Sequence, residues 1–162
     1  MSSIEVVRKY LENLGVGDKI LEFPVSSATV ELAARAAGVI PARIAKSLTF
    51  RGDGICVMVV VAGDARVNGS KYKKIFKQKA NMLTPGEVLS LTGHEVGGVC
   101  PFALPDTTDV YLDISLKRFS TVFPACGSGN SAIEMDMEQL WGASGALDWV
   151  DVCTGWQEDG AL

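Results

Sequence analysis

The segment Val96-Gly-Gly-Val-Cys-Pro-Phe-Ala-Leu104 sets two adjacent glycines and a proline inside a β-branched, apolar run. It cannot be an ordinary central strand, because glycine weakens the pleat and proline removes a ladder donor. Gly97 and Pro101 are spaced as Gly-x-x-x-Pro. Without side chains at Gly97 and Gly98, a ligand can come close enough to hydrogen-bond main-chain N–H and C=O groups, while the proline fixes φ and stiffens the turn. A β-bulge or a barrel corner selects the same residues. The expectation is a glycine-rich strand with its backbone on display.

Around this segment, helical and strand periodicities alternate. Ile4, Val7, Leu11 and Leu14 predict an amphipathic first helix, with Ser2 or Ser3 as cap and Gly15 as stop. A short strand over 20–23 ends at Pro24, and Ser26 and Ser27 cap a second helix that runs to Ala37 and closes at Gly38. Residues 45–50 and 55–61 predict paired strands joined by Arg51-Gly52-Asp53-Gly54. The second is apolar at nearly every position, as a strand buried on both faces requires. Asn68 starts a lysine-rich helix; Thr84 and Pro85 take the N-cap and first-turn positions of another that ends near Gly93. Strands over 110–114, 120–125 and 131–135, a helical turn near Met137 and a strand over 147–152 complete the pattern. A frayed tail is expected after Gly155. The fold class is α+β: one domain over 1–155 with a mixed, curved, barrel-like sheet flanked by helices, and a tail over 156–162.

With 162 residues the chain is long enough for one self-sufficient core. Its N-terminus lacks a basic region followed by an apolar stretch, and the longest apolar run, 55–62, is far too short to span a bilayer. A cytoplasmic protein without a membrane partner is expected. Cys56, Cys100, Cys126 and Cys153 form no Cys-x-x-Cys pair, so neither zinc nor redox chemistry is signalled, and no metal or organic cofactor is expected. Three of them lie in apolar runs as small core residues.

A net charge of −4 argues against binding nucleic acid through bulk positive charge, yet lysine concentrates in one stripe, residues 71–79. On a helix Tyr72, Ile75, Phe76 and Lys79 share one face, which leaves Lys73, Lys74 and Lys77 largely outside. A solvated amphipathic helix and a nucleic-acid contact through Lys71, Lys73, Lys74 and Lys77 both fit this pattern. Lys46 opens a hydrophobic strand, an awkward seat for an ammonium unless it points into a cleft, snorkels to water or blunts a strand edge. His94, the only histidine, precedes Cys100 by six residues. Along a strand that separation is roughly 20 Å, too far for a nucleophile and its base. His94 is therefore expected in a loop near the mouth of a site, or at the surface. Asp113 either hydrogen-bonds in a pocket or caps the turn leading to Leu116. Tyr111 and Phe119 are expected in the core, and Trp141, Trp149 and Trp156 in packing near the C-terminus.

Taken together, Ala45-Lys46-Ser47-Leu48, the run Val96 to Phe102, Gly127-Ser128-Gly129-Asn130 followed by Ile133-Glu134, and the helix start at Asn68 to Lys74 resemble the YbaK/ProX-type aminoacyl-tRNA deacylases. Those proteins are also seen as the editing domain of bacterial prolyl-tRNA synthetases. The resemblance covers nearly the whole chain, from Ile4 to Val152. It implies hydrolysis of the ester joining a wrong amino acid to the 3′ end of a tRNA, with that acceptor end, and an aminoacyl-tRNA synthetase, as partners. It implies a catalytic set of Lys46, Gly97, Gly98, Val99, Cys100 and Pro101. The substrate-binding set would be Ser47, His94, Phe102, Asp113, Gly127, Ser128, Gly129 and Asn130. Members that edit alanine commonly carry Asn after the lysine and a histidine in the third motif. Here Ser47 stands after the lysine and no histidine lies between Gly127 and Asn130. An aminoacyl ester is labile enough that orienting a water and stabilising an oxyanion by backbone N–H groups can suffice. Two other readings use the same residues: a non-catalytic module that holds nucleotides or tRNA ends, and a thiol hydrolase built on Cys100.

Overall fold

A computed structural model describes residues 1–157. In chain order the elements are α1 Ser3–Asn13, β1 Leu21–Glu22, α2 Val30–Ala37, β2 Ile44–Arg51, β3 Cys56–Ala62, β4 Arg66–Val67, α3 Gly69–Phe76 and α4 Pro85–Thr92. Then follow β5 Thr108–Asp113, β6 Thr121–Pro124, β7 Ser131–Ala132, β8 Met135–Asp136, α5 Met137–Ser144, β9 Asp148–Val150 and β10 Cys153–Thr154. Six strands form one mixed sheet in the order β8-β6-β2-β3-β5-β9, curled into a half-barrel. β1 pairs with β7, and β4 with β10.

β3 is buried at every position, as its unbroken apolar sequence requires. It runs antiparallel to β2 from Ala45–Ala62 to Arg51–Cys56 and parallel to β5 from Cys56–Thr108 to Val60–Leu112. Val7 and Leu11 of α1, Tyr72 of α3, Val88 of α4 and Leu140 of α5 pack into the main core around it. A second, smaller core joins Ala33 and Ala34 of α2 to Ile44, Phe123 and Ala132.

The helix caps follow local chemistry. Ser2, Asn68 and Thr84 accept backbone N–H groups at the starts of α1, α3 and α4, and Thr84 with Glu87 completes a capping box. Thr29 caps α2 in place of Ser26 and Ser27. Those serines are engaged elsewhere: the Ser27 N–H donates to Gly129 O at 2.7 Å and Ser26 Oγ accepts from the Ala28 N–H at 3.2 Å. The turn expected near Met137 is a full eight-residue helix, started by an Asp136–Gln139 capping box. Ile75 is 44% exposed rather than buried, and Lys77 at φ +62° ends α3, so Lys79 lies beyond it.

Several strand expectations need correction. No strand forms between α4 and β5, and residues 93–107 run as turns and loop. The span 131–135 divides into β7 and β8, which pair with different partners, and 147–152 gives β9, with β10 beyond it. After Gly155, Arg118 lies over the Trp156 ring at 5.1 Å; residues 158–162, the rest of the expected tail, lie outside those described.

Asp113 is fully buried, and its carboxylate accepts the Ser115 N–H at 2.9 Å and the Val152 N–H at 3.0 Å. It therefore joins the end of β5 to the turn after it and to the link between β9 and β10. Asp113→Ala leaves two buried donors without partners and is expected to cost about 2–4 kcal/mol of stability. The measurement is the urea midpoint at unchanged m-value.

Candidate functional site

The ladder between β2 and β6 covers only Ile44–Phe123 and Ala45–Pro124, and Pro124 has no N–H to carry it further. The next pairing on that side of β2 is the bridge from Phe50 to Met82, supported by the Leu83 N–H donating to Thr49 O at 3.2 Å. Between these two points the edge of Lys46–Leu48 away from β3 has no strand alongside. A cavity of about 380 Å³ opens there, at the seam of the two cores, walled by β2, α2, the start of α4, Val96, Gly97 and Val99, and Ser131 and Ala132. Among the described residues Lys46 is its only ionisable lining residue.

Two backbone loops meet beside this cavity. The Gly98 N–H donates to Glu95 O at 3.0 Å, and Gly97 sits at φ +99°, which reverses the chain just after α4. A Cβ on Gly98 would stand 2.8 Å from Gly127 C and Ser128 N, so the loop and the Gly127–Asn130 turn touch backbone to backbone. That turn is held in place from the other side: Asn130 O accepts the Phe23 N–H at 2.8 Å, and Asn130 Nδ2 donates to Phe23 O at 3.1 Å. Ser128 Oγ donates within the turn to Asn130 Oδ1 at 2.9 Å and accepts the Ser131 hydroxyl at 2.7 Å.

Lys46 is half-buried, with Nζ 3.5 Å from Gly63 O. Burial lowers its pKa, while Cys153, Asp64 and Glu31 pull it back up. The ammonium is thus partly stripped of water, with carboxylates close enough to favour the charged form. Ser47 follows it along the cavity, and its hydroxyl, like that of Ser27, is buried without a hydrogen-bond partner among the described residues.

His94 is neither at the surface nor far from Cys100. It is 2% exposed, and its Nε2 lies 3.4 Å from Cys100 Sγ because the chain turns back on itself at 95–98 instead of extending. The pair is not arranged as nucleophile and base. His94 Nε2 donates to Phe102 O at 2.9 Å, which leaves no lone pair there to take the thiol proton. Burial pushes the Cys100 thiol up to about 12, and Cys100 does not line the cavity.

The remaining sequence-derived site residues spread further. Gly98, Pro101 and Gly127–Asn130 do not line the cavity, and Phe102 is a fully buried core residue. Asp113 acts as the cap described above. Lys71 pairs with Asp151 at 3.0 Å, whereas Lys73, Lys74 and Lys77 are exposed. Sequence reasoning missed Ser27, Thr49, Met82 and Ala125 in the wall. Only the break in the β2–β6 ladder reveals them, and Pro124 was its one sequence signal. Among the described residues no cluster of three or more metal-ligating side chains occurs, and no helix is long and apolar enough to cross a membrane.

A family model described as the aminoacyl-tRNA editing domain matches residues 25–142. The chain belongs to this family. The chain is 51% identical over 156 residues to the uncharacterized protein YwhH of Bacillus subtilis (strain 168), across 96% of this chain and 99% of that protein. It is 35% identical over 78 residues to the proline–tRNA ligase of Bacillus pumilus (strain SAFR-032), which is 48% of this chain and 14% of that enzyme. Among solved structures, a candidate trans-editing enzyme for prolyl tRNA synthetase superposes with TM-score 0.85 at 31% identity, over 96% of this chain and 99% of that one. The hypothetical protein APE2540 superposes with TM-score 0.77 at 29% identity, over 90% and 99%. Family and neighbours together support an aminoacyl-tRNA editing role. The matched span contains Lys46, both loops and the whole cavity wall; α1 lies outside it.

Proposed function

We propose that this editing domain is a trans-acting aminoacyl-tRNA deacylase, which hydrolyses the ester of a mischarged tRNA carrying a small amino acid. One observation carries the reading: a half-buried lysine, Lys46, lines the same small apolar cavity as Gly97 and its neighbours Val96 and Val99. A volume of about 380 Å³ lies at the low end of small-ligand sites. It suits an aminoacyl group and part of a ribose. Lys46 holds the phosphate or ribose of the terminal adenosine by charge-assisted hydrogen bonds. The loop backbone holds the aminoacyl group and donates N–H groups to the developing oxyanion. Water adds to the ester carbonyl, the bond to the ribose oxygen breaks, and free amino acid and a tRNA hydroxyl result.

Among the described residues the cavity wall carries no acidic residue or histidine, which favours a second reading, a module that binds tRNA ends without turnover. Release of amino acid from a panel of mischarged tRNAs separates the two. A deacylase frees amino acid in catalytic excess over protein, and a binding module only protects the ester.

The thiol plays no part in this scheme. Cys100→Ala is expected to keep kcat within about twofold of the parent, since a buried, protonated thiol supplies no nucleophile. A loss of 100-fold or more would restore the thiol-hydrolase reading. Lys73 and Lys74, exposed on α3, and Lys77 at its C-terminal cap form the proposed contact with the tRNA body. Reversing all three charges is expected to weaken tRNA binding and to lower the slope of log K against log salt by about 2–3. An unchanged slope would remove α3 from the interface.

A further inference from the structure

We propose that His94 is a positioning residue for deacylation, acting with Ser3 as a clasp that closes the Gly97–Pro101 loop and fastens it to the start of α1. The inference rests on the deacylase reading for its kinetic consequence, but the clasp itself is visible in the geometry.

The His94 ring has only one tautomer that satisfies both its contacts. Nε2 carries the proton donated to Phe102 O at 2.9 Å, so Nδ1 is the acceptor and takes the Ser3 hydroxyl at 2.5 Å. The backbone N–H of His94 donates to Thr92 Oγ1 at 3.1 Å, and that hydroxyl donates to Val88 O at 2.6 Å, one turn back in α4. A single side chain therefore ties the entrance of the loop to its exit at Phe102. Gly97, Gly98 and Pro101 lie inside the closed segment.

Ser3 extends the clasp to the second loop. A Cβ on Gly127 would stand 2.9 Å from both Ser3 O and Ser3 Oγ, so the residue that holds His94 also presses on the Gly127 turn. Within 95–101 the backbone makes a single hydrogen bond of its own, from Gly98 to Glu95. Beyond that bond, the loop is held by the backbone contact of Gly98 with Gly127 and by the clasp. Burial lowers the His94 pKa and favours the neutral ring that this arrangement requires. Cys100 Sγ, 3.4 Å from Nε2, packs on the ring without competing for its proton.

The test compares the parent with Ser3→Ala, His94→Gln and the double variant, each checked for folding by thermal melt. Three quantities are read: kcat, KM for mischarged tRNA, and amide hydrogen exchange over residues 95–101. The expected result is a kcat lowered roughly tenfold in each single variant with KM within about twofold. The double variant should be no slower than the worse single, since both changes break one connection. Exchange over 95–101 should quicken in all three while β2 and β3 keep their protection. His94→Leu, which lacks the donor to Phe102 O that Gln can supply, should fall further. Parental kcat in both singles, or losses that multiply, would overturn the proposal. If the parent itself releases no amino acid, the deacylase reading fails separately and exchange alone decides: unchanged protection of 95–101 in the variants overturns the clasp.

Discussion

Lys46→Ala is expected to lower kcat/KM for amino-acid release from mischarged tRNA by about 100-fold, with the fold retained. The size follows from the loss of charge-assisted hydrogen bonds to a phosphate or ribose, worth about 1.5–3 kcal/mol each, in a cavity lined by no second cation among the described residues. The fold should survive because Lys46 makes one long hydrogen bond, to Gly63 O at 3.5 Å, and removing it relieves a desolvated ammonium. Lys46→Met keeps most of the aliphatic stem and should fall by the same factor, which separates charge from packing. The salt dependence adds a second readout: if the ammonium meets a phosphate, the slope of log K against log salt drops by about 1 in either variant. Parental kcat/KM in both variants would remove Lys46 from the site and with it the main support for the deacylase reading.

Gly98→Ala is expected to be as damaging by a different route. The added methyl would stand 2.8–2.9 Å from the C and O of Gly127 and the N of Ser128, all backbone atoms that no side-chain rotation can clear. One loop must move. Overpacking of this kind costs about 1–3 kcal/mol of stability, and a shift of about 1 Å in a wall that orients the ester costs about 100-fold in rate. Gly97→Ala makes an informative contrast. Its Cβ would meet only Ala28 Cβ at 3.5 Å, so its penalty is the left-handed φ of +99°, about 1–2 kcal/mol. Gly98→Ala should therefore lose more activity than Gly97→Ala, and the reverse order would mean that the two loops are not held in register by their contact.

Much of the fold was legible in the chain because the relevant physics is local. The apolar run of β3 required burial on both faces, and every one of its residues is buried. Asn68 and Thr84 cap the helices assigned to them, since a side-chain oxygen two or three residues from a free N–H makes the same bond in any context. The α2 cap was misplaced by two or three residues. Ser27 hydrogen-bonds to Gly129, more than a hundred positions away in sequence, and nothing near Ser27 announces that partner.

The candidate site divides along the same line. Residue types alone marked Lys46 as misplaced for a plain strand and the Gly97–Pro101 run as unfit for regular pairing. Both inferences rest on intrinsic preferences, of an ammonium for water and of glycine and proline against the ladder. The tertiary structure alone decided that this run is a turned loop, which brings His94 to 3.4 Å from Cys100 instead of the strand distance. It also set Gly98 against Gly127 and brought Ser3 to His94 across ninety-one positions. Conformational preference belongs to each residue and survives in the sequence. Proximity between distant segments depends on how the whole sheet curls and which strands pair, and no short window of sequence holds that information.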